Sequence, residues 1–254
     1  MAGSSSAARQ DSGHVPGVCQ VTSRAFDSDL LIVQPLDDAW TLPFQDCSPV
    51  RAFPSYKGQR NFTGLLWCAT NSRLVGYESW LERDHLMCLD FAPDVVGIAS
   101  QPFRLDFDLA GGRRWHVPDY FVRLGDGSGV VIDVRPDNRI NGRDQEVFSA
   151  TESACASVGW AYRRAGVLPR TYISNVRWLA GYKHPRSLNP AHGQEIRARL
   201  NDGPESLFRL AAAVGNQVAV LPTLFHLLWT GALTADLRSR PLGQDSEVFL
   251  TVIP

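Results

Sequence analysis

The apolar residues change period several times along the middle of the chain, and each change marks an element. Residues 77–86 place Leu81 and Leu86, with Met87 and Leu89 just beyond, on or near one side of a helical repeat, which predicts an amphipathic helix. Asp94, Val95, Val96 and Ile98 lead into residues 101–107, where apolar and polar residues alternate as on a half-buried strand. Ala110-Gly111-Gly112 predicts a hairpin turn before Arg113-Arg114-Trp115-His116. A strand bearing Pro118-Asp119 follows, then the glycine-rich turn 125–129, then a strand through Val131-Ile132-Asp133-Val134-Arg135. A helix near residues 144–158 and a strand opening at Gly159-Trp160-Ala161-Tyr162-Arg163 complete the series. Helices interleaved with strands predict an α/β fold.

The two ends read differently. Residues 1–29 are expected to begin as a disordered tail, since Gly3-Ser4-Ser5-Ser6 and Ser12-Gly13 leave few bulky apolar side chains there. Residues 30–57 hold short apolar pieces among prolines and read as a strand-and-loop layer. Ser187-Leu188-Asn189-Pro190 and Gly193 mark a junction, dividing a domain at 30–186 from a module at 187–254. In the module, a helix from Pro204 to Val214, a break at Gly215-Asn216 and a second helix from Val218 to Trp229, kinked or restarted at Pro222, precede strands at 233–237 and 247–253.

Composition narrows the classes. An apolar fraction of 44% supports a sizeable core. No apolar run is long enough to span a bilayer and the first residues lack a signal-peptide core, so a cytoplasmic protein without a membrane partner is expected. Five scattered cysteines form no C-x-x-C pair, which argues against structural zinc and for reduced thiols. No glycine-rich phosphate loop is present, so nothing suggests an ATPase in this chain.

The net charge of −1 conceals an uneven distribution. Between Arg135 and Arg186, basic residues at 135, 139, 143, 163, 164, 170, 177, 183 and 186 outnumber acids at 137, 144, 146 and 152. Arg139, Arg143, Arg163, Arg164, Arg177, Lys183 and Arg186 are therefore candidates for contacts to DNA phosphates, against the alternative of a solvated arginine-rich surface.

The candidate chemistry lies just upstream. On strands joined by so short a turn, Asp119 and Asp133 can converge and hold one divalent cation, and Arg135 shares the Asp133 face by the strand period of two. Asp133 lies in an apolar run, where a carboxylate needs a partner or a metal, and a structural pairing with a nearby arginine is the other reading. A third ligand is expected upstream, where Glu78 and Glu82 share one helix face and compete for the role. His116 reads as an ordinary sheet histidine, and Gln101 as either a turn residue before Pro102 or a neighbour of the site.

Glu78-Ser79-Trp80-Leu81-Glu82, then Val95-Val96-Gly97-Ile98-Ala99-Ser100-Gln101-Pro102, then His116-Val117-Pro118-Asp119-Tyr120 resembles the TnsA-type endonuclease subunit of heteromeric transposases, within the PD-(D/E)XK superfamily. Asn175-Val176-Arg177-Trp178-Leu179-Ala180-Gly181-Tyr182-Lys183-His184-Pro185-Arg186 extends the likeness toward actinobacterial members. The resemblance covers roughly residues 50–186 and only loosely the remainder. It implies a restriction-endonuclease-like mixed sheet flanked by helices at 30–186, and a winged-helix-like module for partner or DNA binding at 187–254.

The resemblance also implies the activity: metal-dependent hydrolysis of DNA, one strand being cut at transposon ends. Glu82, Asp119 and Asp133 match the metal-binding acids, with Mg²⁺ or Mn²⁺ as cofactor. Arg135 stands where the family has its catalytic lysine. Arginine can neutralise charge but cannot pass a proton. Only Lys57 and Lys183 are lysines among 25 basic residues, so the replacement also follows the chain's general preference for arginine. DNA, a DDE-type transposase and an ATPase regulator are the implied partners. A stand-alone nuclease of defence or repair and a catalytically weak DNA-binding or scaffolding subunit are the alternatives.

Overall fold

The computed structural model describes residues 19–25, 29–53, 62–109 and 112–251 of the 254-residue chain. The fold is mixed α/β, in two compact units. Unit 1 comprises Met1–His85 and Asp94–Val167, unit 2 Leu86–Pro93 and Leu168–Pro254. Among the described residues, no helix is long and apolar enough to cross a membrane.

In chain order, unit 1 contains β1 (Gln20–Arg24), β2 (Leu31–Pro35), α1 (Leu36–Ala39), β3 (Gly64–Cys68) and β4 (Arg73–Tyr77). The start of α2 (Trp80–Phe91) follows, then β5 (Val95–Ser100), β6 (Phe103–Leu109), β7 (Gly112–His116), β8 (Tyr120–Leu124), β9 (Gly129–Val134), α3 (Gly142–Ser157) and β10 (Ala161–Ala165). One sheet has the order β2-β1-β6-β7, a second β10-β9-β8-β5, and β3 and β4 pair by themselves. All pairings are antiparallel except β9 with β10, which α3 connects as a crossover helix.

The residue pattern accounts for the second sheet. Tyr120, Phe121 and Val122 are buried, as are Val131, Ile132, Asp133 and Val134, so both faces of β8 and β9 are covered. Strands in that position read as continuous apolar runs. Asp126 Oδ1 accepts from Ser128 N at 2.8 Å and Gly127 takes a φ of 87°, which closes the expected β8–β9 turn. At Gly129 an added Cβ would lie 2.8 Å from the Trp160 ring and 3.0 Å from Phe121. Phe44, Phe103, Phe121 and Trp160 pack with ring centroids 4.9–5.9 Å apart, and with Val21, Leu105, Val131 and Cys155 they form one core shared by both large sheets and α3.

Several expectations need correction. Gln20–Arg24, within the span read as a tail, is a buried strand between β2 and β6. Its alternation is masked because Gln20, Thr22 and Ser23 are buried beside Val21. The expected disorder of residues 1–18 lies outside the described residues, as does the turn at Ala110-Gly111, although Leu109 pairs with Gly112 across it. The strand expected at 101–107 begins at Phe103, because the chain leaves one large sheet at Ser100 and enters the other. Pro118-Asp119 lies on no strand. It spans the return crossing, from β7 to β8.

Unit 2 contains the end of α2, then α4 (Arg170–Ala180), α5 (Pro190–Leu200), β11 (Glu205–Ser206), α6 (Leu207–Val214), α7 (Gln217–Trp229), β12 (Leu233–Ala235) and β13 (Glu247–Leu250). The residues read as a junction begin α5: Asn189 Oδ1 accepts from Ala191 N at 3.0 Å and Pro190 sits in the first turn. α7 runs through Pro222 as one helix, and β13 pairs with β11 and β12. The Asn175 side chain ties the polar loop of this unit, donating to Leu237 O and Arg240 O and accepting from Leu242 N.

Candidate functional site

The site forms where the two crossings of unit 1 meet the start of α2. Ser79 Oγ accepts from Glu82 N at 3.2 Å, and the Glu82 carboxylate accepts from Glu78 N at 2.7 Å and Ser79 Oγ at 2.8 Å. Glu82 thus closes the helix N-terminus as in a capping box, a use of Ser-x-x-Glu that needs no catalysis. Glu78, its rival, is engaged by Arg51 through two bonds of 2.9 and 2.8 Å. Tyr120 Oη lies 3.3 Å from both Gly76 O and Glu82 O, which ties β4 and α2 to the end of β8.

Asp119 lies just before β8, and its side chain takes up the next N–H of β9 beyond the β8–β9 ladder. Tyr120 pairs with Ile132, and Asp119 Oδ2 accepts from Val134 N at 2.7 Å. Burial pushes its carboxyl well above the usual range, and the Glu82 and Asp133 carboxylates push it further, against the bond from Val134. Burial likewise raises the Glu82 carboxyl, which its hydrogen bonds only partly offset. Glu82 and Asp133 therefore both act on Asp119.

Asp133 is 3% exposed, and both of its oxygens are engaged. His116 Nε2 lies 2.8 Å from Oδ1 and from Oδ2, and Tyr162 Oη donates to Oδ2 at 2.9 Å. Phe148 of α3 meets the His116 ring edge-on at 6.1 Å. Asp133 raises the Tyr162 phenol, second to burial. Of the two readings left open for Asp133, pairing with an arginine is not the arrangement found.

Arg135 is exposed, and its ion-pair partner is Asp144 in the first turn of α3, at 3.9 Å. Of the expected DNA contacts in unit 1, Arg139, Arg143, Arg163 and Arg164 are exposed, with Arg164 2.7 Å from Asp137. In unit 2, Arg177 and Arg186 are exposed. Lys183 is not: it is 8% exposed, its Nζ lies 2.8 Å from the buried Asp90, and Trp229 covers it. A lysine held this way cannot reach a phosphate without breaking a buried pair, so that assignment is corrected.

The sequence reading missed His116 and Tyr162 as partners of Asp133. His116 belongs to β7 and Asp133 to β9, in different sheets, so no periodicity relates them. Of the two readings of Gln101, the structure supports a neighbour of the site, since its N–H donates to Asp119 O at 2.9 Å.

Among the described residues, no three His, Cys, Asp or Glu side chains stand close enough together to hold a metal ion as they are arranged. The donor chemistry nevertheless suits a hard divalent cation. Glu82, Asp119 and Asp133 offer oxygen only, and they raise one carboxyl among them with Arg135 turned to Asp144. No protein-family model matches the chain, and no curated protein does either.

Proposed function

We propose that this chain is a metal-dependent DNA endonuclease of the PD-(D/E)XK type, similar to the TnsA subunit that cuts one strand at transposon ends. The observation that carries the reading is the raised Asp119 carboxyl, pushed up by burial and then by Glu82 and Asp133. A carboxyl raised by burial and by two neighbouring acids is costly to ionise unless a cation relieves it, and such perturbed groups mark functional sites. In this reading residues 30–186 form a restriction-endonuclease-like domain. Residues 187–254 form a winged-helix-like module, to which α6, α7 and the β12–β13 pair lend support.

Glu82, Asp119 and Asp133 would hold Mg²⁺ or Mn²⁺. When bound there, such an ion would supply an activated water and stabilise charge on the phosphate oxygens. His116 and Tyr162 fix the orientation of the Asp133 carboxylate. Arg135, only loosely paired with Asp144, swings toward the phosphate and neutralises charge there without moving a proton. Arg139, Arg143, Arg163 and Arg164 grip the DNA backbone. A DDE-type transposase and an ATPase regulator follow from the resemblance alone.

Supercoiled and branched DNA incubated with Mg²⁺ or Mn²⁺ tests the reading, beside an Asp119→Ala control. Nicking by the wild type that the control lacks is expected; equal nicking by both would refute the site. A second reading rests on the Arg135–Asp144 pair and on the full engagement of Asp133: a DNA-binding subunit that does not cut. It predicts DNA binding with no metal-dependent nicking.

A further inference from the structure

Two exposed aromatic rings touch one another at the start of α2. Phe62 is 60% exposed, and Trp80, the first residue of the helix, is 46% exposed. Their ring centroids lie 5.4 Å apart, with the planes tilted by 36°. Tyr77, at the end of β4, stands 6.5 Å from Trp80, and the Arg83 guanidinium lies 4.1 Å from the centre of the Trp80 ring. Lone apolar side chains at a surface are ordinary. Two rings that already pack together and still leave that much surface in water ask for an occupant.

Their place relative to Glu82 indicates which. Glu82 lies in the same first turn of α2, where its carboxylate accepts from Glu78 N and Ser79 Oγ. Trp80 and Arg83, three apart, share a helix face, and Glu82 lies round the turn from them. A helix with its side chains is about 10–12 Å across. Successive phosphates of one strand are spaced about 3.4 Å along a duplex axis. The rings therefore meet a strand about three nucleotides from a phosphate held at Glu82. The acids close to the rings do not stand against a nucleic acid, since Arg51 grips both oxygens of Glu78 and Arg83 lies 3.5 Å from Asp84.

Bases inside a duplex stack on one another and offer no face to a protein ring, whereas an unpaired base does. We infer that Phe62 and Trp80 form a stacking platform for an unpaired base, so that the substrate is DNA whose strands are separated close to the cut, as at a fork, branch or frayed end. The inference rests on the nuclease reading above, which supplies the position of the cut. Stacking of bases on aromatic side chains is a main source of affinity for single strands. The Arg83 guanidinium on the indole adds a cation–π contact that holds the platform.

Fluorescence anisotropy of the full chain in EDTA, which withholds the cation, tests the platform. The probes are a labelled, fully paired duplex and a fork of the same sequence with unpaired arms. The wild type should bind the fork about tenfold more tightly than the duplex. Phe62→Ala should lose that preference and bind the duplex as before; the ring is exposed, so its removal leaves no cavity in the core. Phe62→Tyr keeps the ring face and should bind the fork like wild type, whereas Phe62→Leu keeps only apolar bulk and should not. Wild-type affinity for the fork in Phe62→Ala overturns the platform. The same affinity in Phe62→Leu also overturns it, and marks an apolar surface suited to a protein. Metal-dependent nicking that Asp119→Ala lacks, with no preference for forks, refutes the platform and leaves the nuclease standing. A preference for forks with no metal-dependent nicking keeps the platform and refutes the nuclease.

Discussion

His116 and Asp133 belong to different sheets, yet the Nε2 atom of one lies 2.8 Å from each carboxylate oxygen of the other. Together with Tyr162 this bond occupies a carboxylate that would otherwise stand buried and alone. Tyr162→Phe removes one donor and little volume. It should cost about 1.5–3 kcal/mol in chemical denaturation, the range for a hydrogen bond to a charged group. An unchanged midpoint would mean that the phenol is a bystander.

The acids of the site predict a pH dependence of unusual sign. Asp119 and Glu82 are raised in the folded protein, so the folded state holds their protons more tightly than the unfolded chain does. Their contribution therefore favours folding at acid pH. It is lost as pH rises from the unfolded value of about 4 through the raised folded values. Asp119→Asn, which can still accept from Val134 N, should gain stability over wild type between pH 5 and pH 8 in thermal melts. Mn²⁺ should close that gap at pH 8 by stabilising the wild type alone.

Glu82 has two roles that substitution can separate. Glu82→Ala removes the carboxylate that closes α2 and should cost about 1 kcal/mol of stability as well as cleavage. Glu82→Gln keeps an acceptor for the cap while removing the charge. It should fold nearly as well as wild type and still lose most metal-dependent nicking. Full activity in Glu82→Gln would assign this residue to the helix end alone.

Lys183 gives a prediction about what DNA does not touch. Lys183→Met leaves Asp90 buried without its cation and should cost about 3–5 kcal/mol, the range for breaking a buried pair from one side. Replacing Asp90 with Asn in the same chain should recover much of that loss. In an electrophoretic assay the doubly substituted protein should bind DNA like wild type, whereas Arg163→Ala should bind more weakly.

Local chemistry was the legible part. Asp126, Gly127 and Ser128 announce the β8–β9 turn, because turns are satisfied by their own neighbours, whereas the helix expected from Tyr77 begins at Trp80, after Tyr77 has closed β4. Asp119 and Asp133 could be related through that turn. What stayed hidden depends on which strand joins which sheet. The apolar residues from Val95 to Ile98 lead without a break into the alternating stretch 101–107 and conceal a change of sheet at Gln101, and His116 finds Asp133 only after the chain has crossed back. Asn189-Pro190 was read as a boundary because a cap and a linker use the same residues. Lys183 was read as surface because nothing local announces Asp90, far away in sequence.

The place of β1 has a practical consequence for anyone trimming this protein. Polar, serine-rich leaders are commonly cut away before crystallisation or assay, and the first thirty residues invite that cut. Here it would remove a middle strand of the β2-β1-β6-β7 sheet, leaving Leu105 and Phe103 of β6 with an open backbone edge. Exposed edges of that kind recruit other chains. A shortened protein starting at Leu30 should express poorly or pellet, whereas one starting at Gly17 keeps the strand and stays in the supernatant.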